Sequence, residues 1–197
     1  MREGGESPLY LLMDAILIVD MQAGMLAGAP KHDLAGVVAR INALTAIVRG
    51  SGGRAVWIRH CGQPGDGFEP GSPGWEFLPE LLRAPEDAEI GKTLNDAYAG
   101  TGLAALLREL TPSRVLVCGW ATDFCVDSTV RSTVSHGFPA VVPSDAHTLS
   151  DRPHLPAPAV IRHHNWLWSE LIADPPVRVL PTNELLAEAS PPHQVRG

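Results

Sequence analysis

Short apolar runs that each stop at a polar residue constrain this chain most. Ala15-Ile16-Leu17-Ile18-Val19 ends at Asp20, and Ala55-Val56-Trp57-Ile58 ends at Arg59-His60-Cys61. Val115-Leu116-Val117-Cys118 leads into Gly119-Trp120-Ala121-Thr122, and Ala88 to Lys92, Pro139 to Pro143 and Val177 to Leu180 complete the set. The first of these, apolar at every position, is expected of a strand covered on both faces. Between them the spacing turns helical. Leu34, Val37, Val38, Ile41, Leu44, Ile47 and Val48 follow it between Asp33, an N-cap candidate, and Gly50. Further helices are predicted for Thr101 to Leu110, from about residue 125 to 136, and for Pro156 to Ala173, where Pro158 falls in the first turn; Thr182 is expected to cap one over 183–189. Strands alternating with helices predict an α/β fold with a mostly parallel sheet.

At 197 residues the chain fits one domain with a core of its own. Residues 1–13 read as a tail, 14–190 as the domain and 191–197 as a C-terminal tail. A net charge of −7 without a long basic run leaves nucleic-acid binding without an electrostatic footprint. No apolar stretch reaches the roughly 18–20 residues that span a bilayer, so no membrane role is expected. The three cysteines form no CxxC pair and suggest no secreted disulfide framework; a cytoplasmic protein is the simplest reading.

In a parallel α/β sheet, ligands bind beyond the carboxyl ends of the strands. The polar residues there are Asp20, Arg59 and His60, Lys92, Cys125, and Asp145 with His147. An acid, an ammonium and a thiol brought to one sheet edge can converge although they lie far apart in sequence. Cysteine reacts as the thiolate. The mouth of the predicted helix and the charge of Lys92 are both expected to favour it, with Asp20 as the proton acceptor.

Taken singly, each of these residues is more often structural: a small core thiol, a turn carboxylate, a solvated lysine. Cys118, inside its strand, is assigned to the core. The case rests on co-location. Trp75, Tyr98 and Trp120 are candidates to wall a substrate pocket, Gln22 is a further substrate-binding candidate, and His60 or Arg59 is placed to meet a polar group. The loop 62–79, rich in Gly and Pro, is read either as a lid or as a packed surface loop. His60, His147, His154, His163 and His164 show no metal-ligand spacing, and no Gly-rich phosphate loop is present, so neither a metal nor a cofactor is expected.

AILIVDMQ at 15–22, GKTLNDAYAGTGL around Lys92, GWATDFCVDSTVRSTVSHGF at 119–138, DAHTLSD at 145–151 and IRHHNWL at 161–167 together resemble the isochorismatase-like cysteine hydrolases. The resemblance implies a Rossmann-like six-stranded parallel sheet of order 3-2-1-4-5-6. It also implies a catalytic triad of Asp20, Lys92 and Cys125, a cis peptide at Trp120-Ala121, and an oxyanion hole from the Ala121 and Cys125 amides. It further implies a small-molecule substrate and a homodimer or homotetramer. Nicotinamidase members carry a DxH metal motif where this chain reads RHCG, and true isochorismatases lack the cysteine, so the resemblance favours C–N hydrolysis through a thioester. Streptothricin hydrolases, which open a cyclic amide, are one branch it resembles. A vinyl ether hydrolase and a catalytically idle binding module remain as alternatives.

Overall fold

In the computed structural model, which describes residues 14–189, the apolar runs pair as parallel strands. The strands are β1 (Ala15–Val19), β2 (Arg54–His60), β3 (Ala88–Lys92), β4 (Val115–Trp120), β5 (Ala140–Pro143), the two-residue β6 (His147–Thr148) and β7 (Arg178–Leu180). The helices are α1 (Ala23–Leu26), α2 (Leu34–Gly50), α3 (Leu103–Leu110), α4 (Asp127–Ser135), α5 (Ala157–Ser169) and α6 (Thr182–Ala189). The order across the sheet is β3-β2-β1-β4-β5-β7, with β6 lying beside the end of β4. Setting that short strand aside, this is the expected 3-2-1-4-5-6 arrangement.

Alternate strand residues face opposite sides of a sheet, and here both sides are covered. Leu17, Val19, Val56, Ile58 and Val117 pack with Leu103, Leu107, Val126, Val130 and Trp168 from α3, the α4 segment and α5. Ile16, Ile18, Trp57, Leu116 and Cys118 pack with Val37, Ile41 and Leu44 of α2 and Leu185 of α6. Each large apolar side chain of β1 is fully buried, contributing on the order of 1.5–3 kcal/mol.

Register then aligns the strand ends. Val19 lies opposite both Ile58 and Gly119, and His60 lies opposite Lys92. Gly119 has φ of 118°, and a Cβ there would meet the Val19 carbonyl at 2.2 Å, so only glycine fits this close approach of β1 and β4.

Some local expectations change. The stretch after Gln22, whose Gly, Ala and Pro residues read as a loop, forms α1, and α5 ends at Ser169, short of Ala173. Asp33 occupies the N-cap position of α2 but has φ of 47° and makes no capping bond; its carboxylate accepts from Arg40 instead. Thr182 opens α6, yet the acceptor is Asp145, whose Oδ1 takes both the amide and the hydroxyl of Thr182 at 2.9 and 2.6 Å. The two predicted tails and Ser190 lie outside the described residues.

Candidate active site

Asp20 leaves β1 with φ of 48°, in the left-handed region that a short polar residue tolerates best. Its side chain is fully buried, as is that of Lys92 at the end of β3, and the Lys92 ammonium donates to Asp20 Oδ2 at 2.6 Å. The same ammonium donates to the Leu94 carbonyl at 3.1 Å and to Cys125 Sγ at 3.4 Å. Oδ1 of Asp20 is buried without a hydrogen-bond partner among the described residues. Acid, ammonium and thiol thus converge, from three segments of the chain, on one buried point.

Electrostatics here run against one expectation. Burial is the main cause that pushes the Cys125 thiol up to about 12; the nearby Asp20 carboxylate adds to the shift and Lys92 opposes it. The resting sulfur is therefore a thiol. Burial likewise holds Asp20 above the usual carboxylate range, although Lys92 pulls the other way. Cys125 is also not the first residue of a helix. It is the fourth residue of a π-helical turn, Thr122–Val126, that runs on into α4, so the helix mouth lies a turn earlier.

That turn is fastened on several sides. The Trp120-Ala121 bond is cis, and the Ala121 carbonyl accepts from the Phe124 and Val126 amides at 3.0 and 3.1 Å. Thr122 Oγ1 meets Nδ1 of the buried His147 at 2.9 Å, and His147 Nε2 meets Asn165 Oδ1 at 3.0 Å. Asn165 donates its amide to the Ser144 carbonyl at 2.9 Å, which leaves Oδ1 as an acceptor. His147 Nε2 must then carry the proton, and Nδ1 accepts from the Thr122 hydroxyl. Burial lowers the His147 pKa to about 4, consistent with this neutral tautomer. Arg152 grips Asp123 in a two-pronged pair at 2.6 and 2.7 Å, and Trp168 Nε1 donates to Asp127 at 2.8 Å.

The predicted substrate-binding residues divide. His60, half-buried at the end of β2, lies near enough to act electrostatically on Asp20 and meets the Phe68 ring edge-on at 6.2 Å. Trp120 is half-buried beside Ala121, its Nε1 buried without a partner among the described residues. Gln22 is instead a clasp: its amide donates to the His60 and Trp75 carbonyls, each at 3.0 Å, and accepts from the His60 amide at 2.8 Å. Its polar atoms are spent on backbone. Tyr98 does not wall a pocket. It is buried, hydroxyl on Thr133 at 2.9 Å and ring stacked on His136, because α4 offers it a hydrogen-bond partner inside the core. Arg59 points to the face that holds Trp57 and Phe77, with its guanidinium 3.5 Å from the centre of the Trp75 ring. Trp75 therefore anchors its loop on Arg59.

Sequence reasoning missed Asn95, whose Oδ1 lies 3.6 Å from Cys125 Sγ. Its position three residues after Lys92 was the available signal. The Thr122–His147–Asn165 chain was missed as well, since it joins residues from three separate elements. Among the described residues no group of three or more His, Cys, Asp or Glu side chains is arranged to hold a metal ion.

A doubly wound α/β sheet with an Asp–Lys–Cys cluster at its strand ends defines the class of this protein. Residues 14–162 match the isochorismatase domain, and the chain belongs to the isochorismatase family. A streptothricin hydrolase of Streptomyces noursei is 34% identical over 145 residues, 73% of this chain and 52% of that protein. A ureidoacrylate amidohydrolase of Enterobacter sp. (strain 638) is 27% identical over 169 residues, 67% of this chain and 74% of that protein. An isochorismatase structure from Pseudomonas putida KT2440 superposes with a TM-score of 0.80 at 27% identity, over 91% of this chain and 93% of that one. The chain spans about half the length of the streptothricin hydrolases it matches.

Proposed function

We propose that this chain is a cysteine hydrolase that cleaves the C–N bond of a small amide or lactam through a thioester. The observation that carries this reading is the buried contact of Lys92 Nζ with both Asp20, at 2.6 Å, and Cys125 Sγ, at 3.4 Å. The names of two relatives, a streptothricin hydrolase and an amidohydrolase, support it.

In the proposed cycle the substrate carbonyl approaches Cys125, and the Asp20 carboxylate takes the thiol proton as sulfur bonds to carbon. The raised pKa of Asp20 suits this, because a base works best when its pKa approaches the working pH. The amides of Ala121 and Cys125 are the proposed donors to the oxyanion. Collapse of the tetrahedral species breaks the C–N bond, and Asp20 returns its proton to the leaving nitrogen. Asp20 then takes a proton from water as the water oxygen attacks the thioester, and gives it back to sulfur as the acid departs. Lys92 stays protonated throughout and balances the charge of Asp20.

The test is a screen of small amides, carbamoyl compounds, lactams and isochorismate, with Cys125→Ala alongside. Loss of turnover of the confirmed substrate in Cys125→Ala, with a Cys125 acyl adduct trapped by mass spectrometry in the wild type, is the expected result; undiminished turnover sinks the scheme. One observation favours a second reading. A carboxyl with a raised pKa also suits an acid that protonates a vinyl ether, and isochorismate cleavage that survives Cys125→Ala would establish it. A cytoplasmic location is proposed with the hydrolase reading, supported by three unpaired cysteines.

A further inference from the structure

Strand β6 lies off the main strand order and pairs with the last residues of β4, His147 opposite Gly119 and Thr148 opposite Trp120. The chain reaches it by leaving β5 at Pro143 and turning back through Ser144 to Ala146, whose carbonyl accepts from the Gly119 amide at 3.0 Å. This detour brings the buried His147 against Thr122, the fully buried first residue of the π-helical turn. A threonine hydroxyl can bond to backbone groups of its own turn. That of Thr122 goes instead to His147 Nδ1, 25 residues further on, at 2.9 Å. Asn165 and the Ser144 carbonyl fix the direction of that bond, since Nε2 must give its proton to Asn165 Oδ1. The Trp168 ring meets His147 edge-on at 5.1 Å and holds the imidazole in place.

We propose that Thr122 and His147 are positioning residues for the addition of Cys125 to a carbonyl: by accepting the Thr122 hydroxyl, His147 keeps the Ala121 amide aimed at the developing oxyanion. The part given to that amide rests on the hydrolase reading; the Thr122–His147 contact does not.

Ala121 lies between two anchors that lead to the same short strand. Trp120 before it is paired with Thr148, and Thr122 after it is tied to His147. The Ala121 carbonyl is occupied by the Phe124 and Val126 amides at 3.0 and 3.1 Å, which couples its orientation to the rest of the turn. Cys125 is held from another side. Its sulfur is in hydrogen-bond contact with Asp20 at the end of β1, with Lys92 of β3, and with Asn95 beyond β3. None of these contacts runs through His147. Loosening Thr122 therefore misdirects the oxyanion donor and leaves the setting of the sulfur in place. A misaimed donor slows only the step in which charge develops on oxygen.

Two reagents that react at the same sulfur separate these effects. With p-nitrophenyl acetate, sulfur bonds to the carbonyl carbon through an oxyanion, the thiol proton passes to Asp20, and the C–O bond to p-nitrophenolate breaks. Iodoacetamide alkylates sulfur by displacing iodide, with no oxyanion. Both rates are read on the Cys125 peptide by mass spectrometry after rapid quenching, with p-nitrophenolate release followed in parallel. Thr122→Val lacks the hydroxyl, and His147→Gln reaches past it toward Asn165. In both, acylation is expected to slow by roughly 10–100-fold while alkylation keeps the wild-type rate. Thr122→Ser and His147→Asn can remake the contact with a hydroxyl or an amide oxygen, and are expected to recover most of the loss. Acylation and alkylation that fall together report a general disturbance of the turn and overturn the proposal. So does acylation at the wild-type rate in Thr122→Val and His147→Gln, or a wild type that is alkylated at Cys125 but never acylated. If the two rates separate as stated and no amide is hydrolysed, the positioning role stands and the amide hydrolase reading falls. If an amide is hydrolysed through Cys125 and the rates do not separate, the positioning role alone falls.

Discussion

Asp20 and Lys92 place two full charges in the protein interior with each other as near partners. A buried pair is a poor source of net stability, but removing one member strands the other and typically costs about 3–5 kcal/mol. Asp20→Asn is accordingly expected to lower the unfolding free energy by about that amount and to reduce kcat by roughly 10²–10⁴-fold. The double variant Asp20→Asn, Lys92→Met is expected to recover much of the stability and none of the activity. Denaturant midpoints and turnover measured on all three proteins check this, and a double variant no more stable than the single one contradicts the account. Asp20, Lys92 and Cys125 were legible in the sequence because strand ends are recognisable. The surroundings of Cys125 were not. A helix mouth and a lysine suggest a depressed thiol pKa, yet burial outweighs both and raises it.

The element that presents Cys125 is the π-helical turn, and α5 secures it through His147 and Asn165. Neutral His147 accepts from Thr122, so protonating its Nδ1 would break that bond. Its folded pKa of about 4 lies below the ordinary 6.5. Between those values the unfolded chain binds the proton and the folded one does not, so stability rises with pH across this window and is lost as pH falls. The full loss attributable to this group is about 3 kcal/mol. His147→Gln is expected to flatten that part of the stability-versus-pH curve, whatever its effect at neutral pH. Chemical denaturation at several pH values decides it, and an unchanged slope removes His147 as the cause. Gln22 works at the same scale. One amide ties the His60 end of the 62–79 loop to the Trp75 backbone. Sequence spacing could not show this, because a glutamine after a strand looks the same whether it meets substrate or backbone.

For the whole molecule, the homodimer or homotetramer expected from the family remains a proposal, and the exposed Leu94, Phe124 and Trp166 side chains are consistent with apolar surface to cover. Sedimentation at micromolar concentration is expected to give a dimer or tetramer; a monomer would refute it. The main strands, their parallel pairing and the meeting of Asp20, Lys92 and Cys125 at one edge were accessible from sequence, because apolar runs and strand-end chemistry are local properties; the sheet order came from the family resemblance. Sheet register carries the rest of that inference, since β1 cannot slip by one residue without turning Leu17 and Val19 to the opposite face. Tertiary structure alone decided which polar groups face one another. It turned Tyr98 into the core, set Trp75 on Arg59, spent Gln22 on backbone and put Asn95 beside Cys125. The physical reason is that a side chain's partner, and the balance between burial and neighbouring charge that sets its protonation, depend on residues distant in the chain.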